Sequence, residues 1–456
     1  MPRVAFIGAG SLGFASKLMV DMLSFPALAD TTFAFMDIDP QRLDYARRIG
    51  ERILEAKGGR GRLEATLDRR EALRGADFVV VMILAHGFEP IRREIEIPLK
   101  YGIDQSIGDT LGPGGVFRAL RTVPIMLDIC RDVEELCPEA WLLNYTNPMA
   151  ILCWAMDKAS PVRKVGLCHS VQGTARQLAG YMGVPVEELD YWVAGINHQA
   201  WFLRLVWRGQ DVYPLLREAI ARPEVYDHDT TRCEMCRHLG YFVTESSGHN
   251  SEYNPWFRKR RDLLAKYTRH GGWNGESGYI LKLYGSDREN WEQEMERKAS
   301  GDEPLPLERS QEYGAFILNA LAGGEPYCFN GNVLNSGLIP NLPQGCCVEV
   351  PCYADRRGIH PLYVGALPPQ LAALNRSNIS VQELAVQAAL ENDRDKAFWA
   401  VAYDPLTAAV LSLEEIRSLV DELFAAEAPW LPQFQPKAVF PLSRVDLTSP
   451  DSATPR

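Results

Sequence analysis

The stretch that most constrains the fold is "RVAFIGAGSLGFASK", in which an apolar run is followed by closely spaced glycines and then by a helical pattern. Gly8 permits a tight turn, Gly10 lets the backbone approach a pyrophosphate, and Gly13 permits close packing at the positive end of the helix. Ser11 and Leu12 complete the loop. This strand–turn–helix context predicts a dinucleotide-binding site.

A second apolar run, "TTFAFMDIDP", ends at Asp37, where a carboxylate is expected to accept hydrogen bonds from an adenosine ribose. Because a carboxylate repels a 2′-phosphate, Asp37 favours NAD over NADP as the cofactor. The alternative interpretation is a tight turn in a fold that binds another ligand. The strand, the glycines, the helix and the acid stand in register, and together they favour the dinucleotide.

Further apolar runs alternate with helical patterns through the N-terminal part of the chain. The predicted strands are Arg3–Ile7, Thr32–Met36, Phe78–Leu84, Trp141–Asn144 and Lys164–Leu167. Continuous apolar strands separated by amphipathic helices indicate a parallel sheet that is covered on both faces. We therefore expect an α/β fold with a Rossmann-like, doubly wound parallel sheet, in an architecture like that of malate and lactate dehydrogenases.

Composition narrows the classes of partner. The formal net charge is −11 with acids and bases mixed along the chain, and no basic stripe offers a nucleic-acid footprint. The longest strongly apolar run, "FVVVMILA", is far shorter than the roughly 20 residues of a membrane helix. With no export signal expected, we predict a cytoplasmic protein without nucleic-acid or membrane partners, whose ten cysteines are free thiols.

Two short segments hold residues that suit a metal site. Cys168 in "VGLCHSVQG" and His198 in "GINHQAWF" supply a thiolate and an imidazole for a divalent cation. One alternative is that the cysteine and the histidine are simply packed in the core. Another is that Cys168 is a nucleophile with His169 as its base, but neighbouring residues of a strand point to opposite faces, which disfavours this pair. Cys233 and Cys236 have the spacing of a zinc knuckle but lack a second pair.

Several motifs taken together resemble glycoside hydrolase family 4, the NAD- and divalent-metal-dependent glycosidases. They include "FIGAGSLGF", "DTLGPGGVFRALRTVPIMLDI", "LNYTNPMAI", "GLCHSVQGT", "GINHQAWF", "SGHNSEYNPWF" and "NVLNSGLIPNLPQGCCVEVP". The resemblance implies a redox route to hydrolysis. Carbon 3 of the sugar is oxidised by NAD, carbon 2 loses its proton, the glycosidic oxygen is eliminated, water adds, and the hydride returns.

The resemblance also implies roles for individual residues. Cys168 and His198 match the metal ligands, with Mn2+ as the expected ion, and Asn147 and Asn197 match substrate-binding positions. Tyr253 matches the tyrosine that acts as the base, with Tyr241 as the reserve choice. Asp109 matches an acidic position near the active site, and the alternative role for Asp109 is to cap the next helix.

The tetrad Cys168–Val171, "CHSV", resembles members that act on unphosphorylated sugars, α-galactosidases above all. His169 stands where the phospho-α-glucosidase type has its proton donor, so His169 is predicted to donate a proton or to bind a sugar hydroxyl. A clamp for a 6-phosphate stays open as an alternative. Its candidate residues are Arg92, Arg93, Arg258 and Arg260.

The expected organisation is an NAD-binding domain over residues 1–195, a metal, substrate and oligomerisation domain over 196–444, and a flexible tail over 445–456. A homodimer or homotetramer is expected. The alternatives to an α-galactosidase are an α-glucosidase, a uronic-acid glycosidase or a 6-phospho-glycosidase of the same family. A simple NAD-dependent dehydrogenase and a non-catalytic NAD-binding protein are further alternatives.

Overall fold

A computed structural model describes the chain over residues 1–11 and 13–434, so Leu12 and the predicted tail lie outside the described residues. The strands belong to one mixed sheet. They are β1 (Arg3–Ile7), β2 (Thr32–Met36), β3 (Arg62–Thr66), β4 (Phe78–Val81), β5 (Trp141–Asn144), β6 (Arg163–Gly166), β7 (Leu189–Ile196), β8 (Gln199–Trp207), β9 (Gln210–Asp211), β10 (Tyr327–Leu334), β11 (Cys347–Asp355) and β12 (Gly358–Pro361).

The first six strands form the parallel half of the sheet, in the order β3-β2-β1-β4-β5-β6. This is the strand order of a doubly wound dinucleotide-binding sheet, so the predicted fold class is confirmed. β1, β2 and β5 have the predicted bounds, whereas β4 ends three residues early and β6 lies one residue earlier. β3 is not among the predicted strands because it is a partly exposed edge strand with the mixed sequence RLEAT.

Strands from later in the chain extend the sheet beyond β6, in the order β6-β10-β11-β7-β8-β9, with β12 paired to β11. β10 pairs antiparallel with β6 through Asn332 and Gly166, and β11 pairs antiparallel with β7 through Glu349 and Gly195. The predicted boundary at residue 195 therefore falls within β7, and the sheet continues across it. The division into domains stays a prediction.

Helices cover both faces of the parallel half and build most of the remaining chain. They are α1 (Phe14–Leu23), α2 (Pro40–Ala56), α3 (Arg69–Leu73), α4 (Phe88–Lys100), α5 (Gly112–Leu136), α6 (Met149–Ala159), α7 (Ser170–Met182), α8 (Tyr213–Ala219), α9 (Pro223–His228), α10 (Thr230–Leu239), α11 (Ser247–Glu252), α12 (Arg261–Tyr267), α13 (Tyr279–Ser300), α14 (Tyr313–Leu321), α15 (Pro369–Glu391), α16 (Arg394–Ala402), α17 (Pro405–Val410) and α18 (Leu413–Ala426).

The C-terminal helices pack on the N-terminal half. α15 packs against α5 and α6, and α14 packs on α1. The chain after α15 forms separate helices, because Asp393, Asp404 and Ser412 each cap the start of a new one with their side chains. Within the described residues, no helix combines the length and the hydropathy needed to cross a bilayer.

Candidate functional site

Cys168 and His198 meet at the carboxyl end of the parallel strands. Cys168 lies between β6 and α7, and His198 lies in the tight turn between β7 and β8. The turn gives His198 a φ of 61°, a left-handed conformation that costs a residue with a side chain of order 1–3 kcal/mol. In this conformation Nε2 of His198 lies 3.2 Å from Sγ of Cys168. The strained turn therefore holds the imidazole against the thiol.

The other ring nitrogen of His198 is held by two hydroxyl groups. Nδ1 lies 3.0 Å from Oγ1 of Thr110 and 3.2 Å from the hydroxyl oxygen of Tyr253. The Thr110 hydroxyl donates to Oδ1 of Asp109 at 2.7 Å, so its oxygen is free to accept from the Nδ1–H of His198. In the neutral ring, which is the form that binds a metal, the lone pair is then on Nε2 and faces Cys168, as is usual for metal-binding histidines.

Charged neighbours shift the protonation of this centre. Burial lowers the pKa of His198, but Cys168 and Glu245 outweigh burial and raise the pKa to about 10. Burial also raises the pKa of Asp109, but the hydrogen bond and charge of His249, with Arg118 and His198, hold that pKa well below its usual range. Opposed charges with strongly perturbed pKa values are typical of functional sites.

Glu245 and His249 complete two clusters of ligand atoms around His198. The ligand atoms of Cys168, His198 and Glu245 lie within 4.8 Å of one another, and so do those of Asp109, His198 and His249. Oε2 of Glu245 is 3.8 Å from Nε2 of His198, and Oε1 is 3.5 Å from Nδ1 of His249. Neither Glu245 nor His249 is among the residues predicted from the sequence, although the polar run "TESSGHNSEY" that contains both is the available signal.

The two asparagines predicted to bind substrate differ in their surroundings. Nδ2 of Asn147 donates to Oδ2 of Asp109 at 2.9 Å. Asn197 is 1% exposed, and neither its side-chain oxygen nor its nitrogen has a hydrogen-bond partner among the described residues. An unpaired buried amide costs about 1–3 kcal/mol.

His169 is paired with Glu312 and not with Cys168. Nε2 of His169 makes a short hydrogen bond with Oε2 of Glu312, and the His169 ring stacks on Tyr145 with centroids 6.0 Å apart. Burial raises the pKa of Glu312, but the hydrogen bond and charge of His169 outweigh burial and lower it. The side chain of His169 is 54% exposed, so it is accessible to a ligand. Glu312 is not among the predicted residues.

Tyr253, and not the reserve residue Tyr241, lies against His198. Burial, together with the charges of Asp109 and Glu252, raises the pKa of Tyr253 well above 10. A base requires the opposite shift, which a metal bound beside His198 would favour, and the described contact of the Tyr253 hydroxyl is with Nδ1 of His198. Tyr241 packs its ring against another tyrosine, Tyr213, with centroids 5.9 Å apart.

The predicted cofactor loop is held by Asp37. Oδ2 of Asp37 accepts a hydrogen bond from the backbone N–H of Gly10 at 2.8 Å. A Cβ atom at Gly10 would lie 2.7 Å from this oxygen and 2.5 Å from Cβ of Arg42, so the close approach requires glycine. Gly8 and Gly13 adopt left-handed φ values of 92° and 91°.

A cleft opens beside this loop. It is lined by the backbone of Gly10, by Ser11 and Tyr45, and by Trp291 of α13, on whose ring the Arg42 guanidinium lies with its centre 4.5 Å from the centroid. The cleft lies at the N-terminal end of α1, where the backbone and the helix dipole favour a pyrophosphate. Of the residues predicted to bind the cofactor, Gly10, Ser11 and Gly13 line this cleft, and Asp37 is hydrogen-bonded to Gly10.

The arginines proposed for a phosphate clamp are all paired with carboxylates. Arg92 and Arg93 bind Glu89 at 2.6 and 3.0 Å, Arg260 binds Asp262 at 2.9 Å, and buried Arg258 binds Asp104. Cys233 and Cys236 lie buried on α10, where burial raises the pKa of Cys236 to about 12 and that of Cys233 further. Neutral buried thiols do not favour the zinc alternative.

Comparison with known proteins identifies relatives over nearly the whole chain. The model of the "Family 4 glycosyl hydrolase" matches residues 3–184, and that of the "Family 4 glycosyl hydrolase C-terminal domain" matches residues 193–407. The chain is 42% identical to "Alpha-galactosidase" of Bacillus subtilis (strain 168), with 95% of this chain and 100% of that protein covered. It is 40% identical to "Alpha-galactosidase" of Rhizobium meliloti (strain 1021), with 95% and 89% covered.

Solved structures show the same fold. The putative glucosidase lplD from Bacillus subtilis superposes with a TM-score of 0.84 at 29% identity, covering 93% of this chain and 99% of that one. A 6-phospho-alpha-glucosidase from gut microorganisms, in complex with NAD and Mn2+, superposes with a TM-score of 0.78 at 22% identity, covering 95% and 100%. At 22% identity, the similarity to the second structure shows a shared fold and nothing more.

Proposed function

The chain belongs to the family 4 glycosyl hydrolases, and from this premise we propose that it is an α-galactosidase that works with NAD and a divalent metal, Mn2+. The observation that carries the proposal is the 3.2 Å approach of Cys168 Sγ to His198 Nε2 at the carboxyl end of a dinucleotide-binding sheet. The two relatives at 42% and 40% identity, both named alpha-galactosidases, support the choice of sugar.

The residues present fit a divalent metal. A thiolate, an imidazole nitrogen and a carboxylate oxygen converge within 4.8 Å at Cys168, His198 and Glu245. Nitrogen and oxygen donors suit Mn2+, and sugar hydroxyls would supply further oxygen. The unpaired amide of Asn197, next to His198 in the chain, supports a hydroxyl-bearing ligand at this position.

The residues present also fit NAD, because Gly10, Ser11 and Gly13 line a cleft at the N-terminal end of α1, where the helix favours a pyrophosphate. When bound, NAD would supply a hydride acceptor and donor for carbon 3 of the sugar, and a divalent metal held by Cys168, His198 and Glu245 would supply a Lewis acid for the sugar oxygens. Asn147 and Asn197 orient the sugar hydroxyls. His169, which is exposed and hydrogen-bonded to Glu312, is the proposed donor of a proton to the leaving oxygen.

Tyr253 is the proposed base at carbon 2, and its test separates this role from support of His198. Solvent deuterium is expected at carbon 2 of the product of the wild-type enzyme, since the route removes that proton. If Tyr253 is the base, Tyr253→Phe loses this exchange while the protein still binds Mn2+. Exchange that persists in Tyr253→Phe would leave the tyrosine only its hydrogen bond to His198.

The function is tested with nitrophenyl α- and β-glycosides, with and without a 6-phosphate, and with the galacturonide. We expect turnover of the aryl α-galactoside only in the presence of NAD, Mn2+ and a thiol reductant. The pairing of Arg92, Arg93, Arg258 and Arg260 with carboxylates supports a preference for the sugar without phosphate. Activity undiminished by EDTA and by exhaustive removal of NAD would refute the proposal.

A dehydrogenase of the malate or lactate type would release NADH in proportion to product, whereas the proposed route is redox-neutral. Absorbance at the NADH band during turnover therefore separates the two.

A cytoplasmic location and a homodimer or homotetramer are part of the proposal, and light scattering of the purified protein tests the assembly.

A further inference from the structure

A row of amide side chains lies buried where α15 packs on the start of β8. Asn375, Asn378 and Gln382, which we call the amide row, share one face of α15, and each is 0% exposed. The other buried residues of this helix are apolar. A buried amide is costly unless it is hydrogen-bonded, and an apolar side chain would pack here at lower cost. Packing alone therefore does not account for the amide row.

Two members of the amide row bind Gln199, the first residue of β8. Nδ2 of Asn375 donates to the backbone oxygen of Gln199 at 2.9 Å, and Nδ2 of Asn378 donates to Oε1 of Gln199 at 2.7 Å. Oδ1 of Asn375 also accepts a hydrogen bond from the indole N–H of Trp201 at 3.0 Å. Because Gln199 directly follows His198, α15 holds the chain one residue beyond the proposed metal ligand.

Gln199 also connects α15 with the segment that contains Tyr253. Nε2 of Gln199 donates to Oδ1 of Asn254 at 3.1 Å, and Nδ2 of Asn254 donates to the backbone oxygen of Asn250 at 2.8 Å. Asn254 directly follows Tyr253 in the chain. The 3.2 Å contact between Nδ1 of His198 and the Tyr253 hydroxyl thus has a second connection one residue further along both segments.

The turn that contains His198 depends on support from its surroundings. Only two residues join β7 to β8, since Ile196 pairs with Gln199, and His198 has a φ of 61°. A residue with a side chain keeps this left-handed conformation only where the surrounding structure fixes it. The hydrogen bonds from Asn375 and Asn378 fix the chain at the β8 end of the turn. The position of the imidazole therefore depends on α15.

We propose that Asn375 and Asn378 are positioning residues for the reaction. Through Gln199 they hold His198 and Tyr253 at the separation at which the metal ligand and the base act on the same sugar. They do so from positions 176 and 179 residues after Gln199 in the chain. The proposal rests on the function proposed above and extends its machinery to a C-terminal helix.

The test compares two substitutions in the amide row. Asn378→Leu keeps the approximate size of the side chain and removes the 2.7 Å hydrogen bond, while Asn375 still lies 3.4 Å from Oε1 of Gln199. It also removes Oδ1 of Asn378, which has no partner among the described residues. Gln382→Met is the matched control, because neither amide atom of Gln382 has a partner in the described part of the chain. Both variants replace a buried amide with an apolar group, so their urea midpoints are expected to stay close to that of the wild type.

The first readout is a titration of EDTA-treated protein with Mn2+, with free Mn2+ followed by electron paramagnetic resonance. The stoichiometry counts folded sites and the dissociation constant reports their geometry, so partial unfolding does not imitate the effect. We expect Asn378→Leu to raise the dissociation constant about tenfold, the lower limit for loss of an outer partner, because Asn375 still binds Gln199. Gln382→Met should leave the constant unchanged. Equal constants in the two variants overturn the proposal.

The second readout concerns Tyr253 and is the rate of solvent deuterium uptake at carbon 2 of the sugar, per titrated site and at saturating Mn2+. A displaced base removes this proton more slowly, so Asn378→Leu should reduce the rate about tenfold, and Gln382→Met should not change it. Gln199→Met removes the connection itself. In that background Asn378→Leu should have no further effect, and a further tenfold loss would show that Asn378 does not act through Gln199.

The Mn2+ titration also separates this proposal from the proposed function, because it requires no galactoside. If the wild type binds Mn2+ but hydrolyses no galactoside, the proposed function fails, and the comparison of Asn378→Leu with Gln382→Met still decides the positioning role. If galactosides are hydrolysed and the two variants agree in both readouts, the function stands and the positioning role is wrong. Should Asn378→Leu not fold, Asn254→Ala breaks the same connection at its other end, and deuterium uptake at the wild-type rate in that variant overturns the proposal.

Discussion

The hydroxyl of Thr110 is expected to set the metal affinity of the site without touching the metal. It lies 3.0 Å from Nδ1 of His198 and donates to Asp109 at 2.7 Å, so it links the carboxylate to the imidazole. Thr110→Val keeps the shape of the side chain and removes this link. Without the acceptor, the proton on Nδ1 is less favoured, and the Nε2 lone pair that faces Cys168 is less available.

The size of the effect follows from the two partners of Nδ1. Removing an outer partner of a metal-binding histidine typically weakens metal binding by about 10- to 100-fold, or about 1.4–2.7 kcal/mol. Because the hydroxyl of Tyr253 is still 3.2 Å from Nδ1, we expect the lower value, about 10-fold, for Thr110→Val alone. Thr110→Val combined with Tyr253→Phe removes both partners and should reach about 100-fold.

The measurement is a titration of EDTA-treated protein with Mn2+, in which the electron paramagnetic resonance signal of free Mn2+ gives the dissociation constant. It needs neither NAD nor substrate, so it is independent of activity. Thr110→Ser keeps the hydroxyl and is the matched control. If Thr110→Val binds Mn2+ as tightly as Thr110→Ser, or if the double variant binds no more weakly than Thr110→Val, the hydroxyls do not orient His198 and the reasoning is wrong.

Three further changes have expected outcomes. Glu245→Gln removes the negative charge of the third proposed ligand and should weaken Mn2+ binding at least about tenfold in the same titration; an unchanged dissociation constant would exclude Glu245 as a ligand. Gly10→Ala places a Cβ 2.7 Å from Oδ2 of Asp37 and should weaken NADH binding, followed by fluorescence, by about 5- to 100-fold; tight binding would contradict the steric argument. Arg121→Met removes the nearer guanidinium partner of buried Glu94, at 2.8 Å, and leaves Arg118 at 3.5 Å; it should cost about 3–5 kcal/mol in urea unfolding, and a cost below about 1 kcal/mol would contradict this.

Four of the parallel strands could be predicted from the sequence because each is a nearly continuous apolar run. β1, β2, β4 and β5 are almost fully buried, and burial on both faces removes the alternation that would make a strand ambiguous. β3 lies at an edge and lacks this signal. β10 and β11 pair with strands more than a hundred residues earlier in the chain, and local periodicity does not encode such partners.

The site, like the sheet, could be predicted only in part. Cys168 and His198 stand at the ends of recognisable elements, and the resemblance to a family gives them roles. Glu245, His249 and Glu312 were outside the prediction because their function depends on contacts across the fold. Glu312, for example, bonds with His169, which lies 143 positions away. A glutamate in a polar loop has the same sequence signature whether or not a histidine faces it.

The strand order explains why the contact between Cys168 and His198 depends on β10 and β11, two strands from much later in the chain. Cys168 follows β6 and His198 follows β7, but β10 and β11 lie between these two strands. Three spacings of about 4.8 Å put the axes of β6 and β7 roughly 14 Å apart, so the two loops must converge over the inserted strands. Buried Glu349 of β11 is in register with Gly195, near the end of β7. A metal bound by both loops therefore binds the completed sheet in preference to any state in which β10 and β11 are displaced, and by mass action it stabilises the pairing of the two halves of the chain.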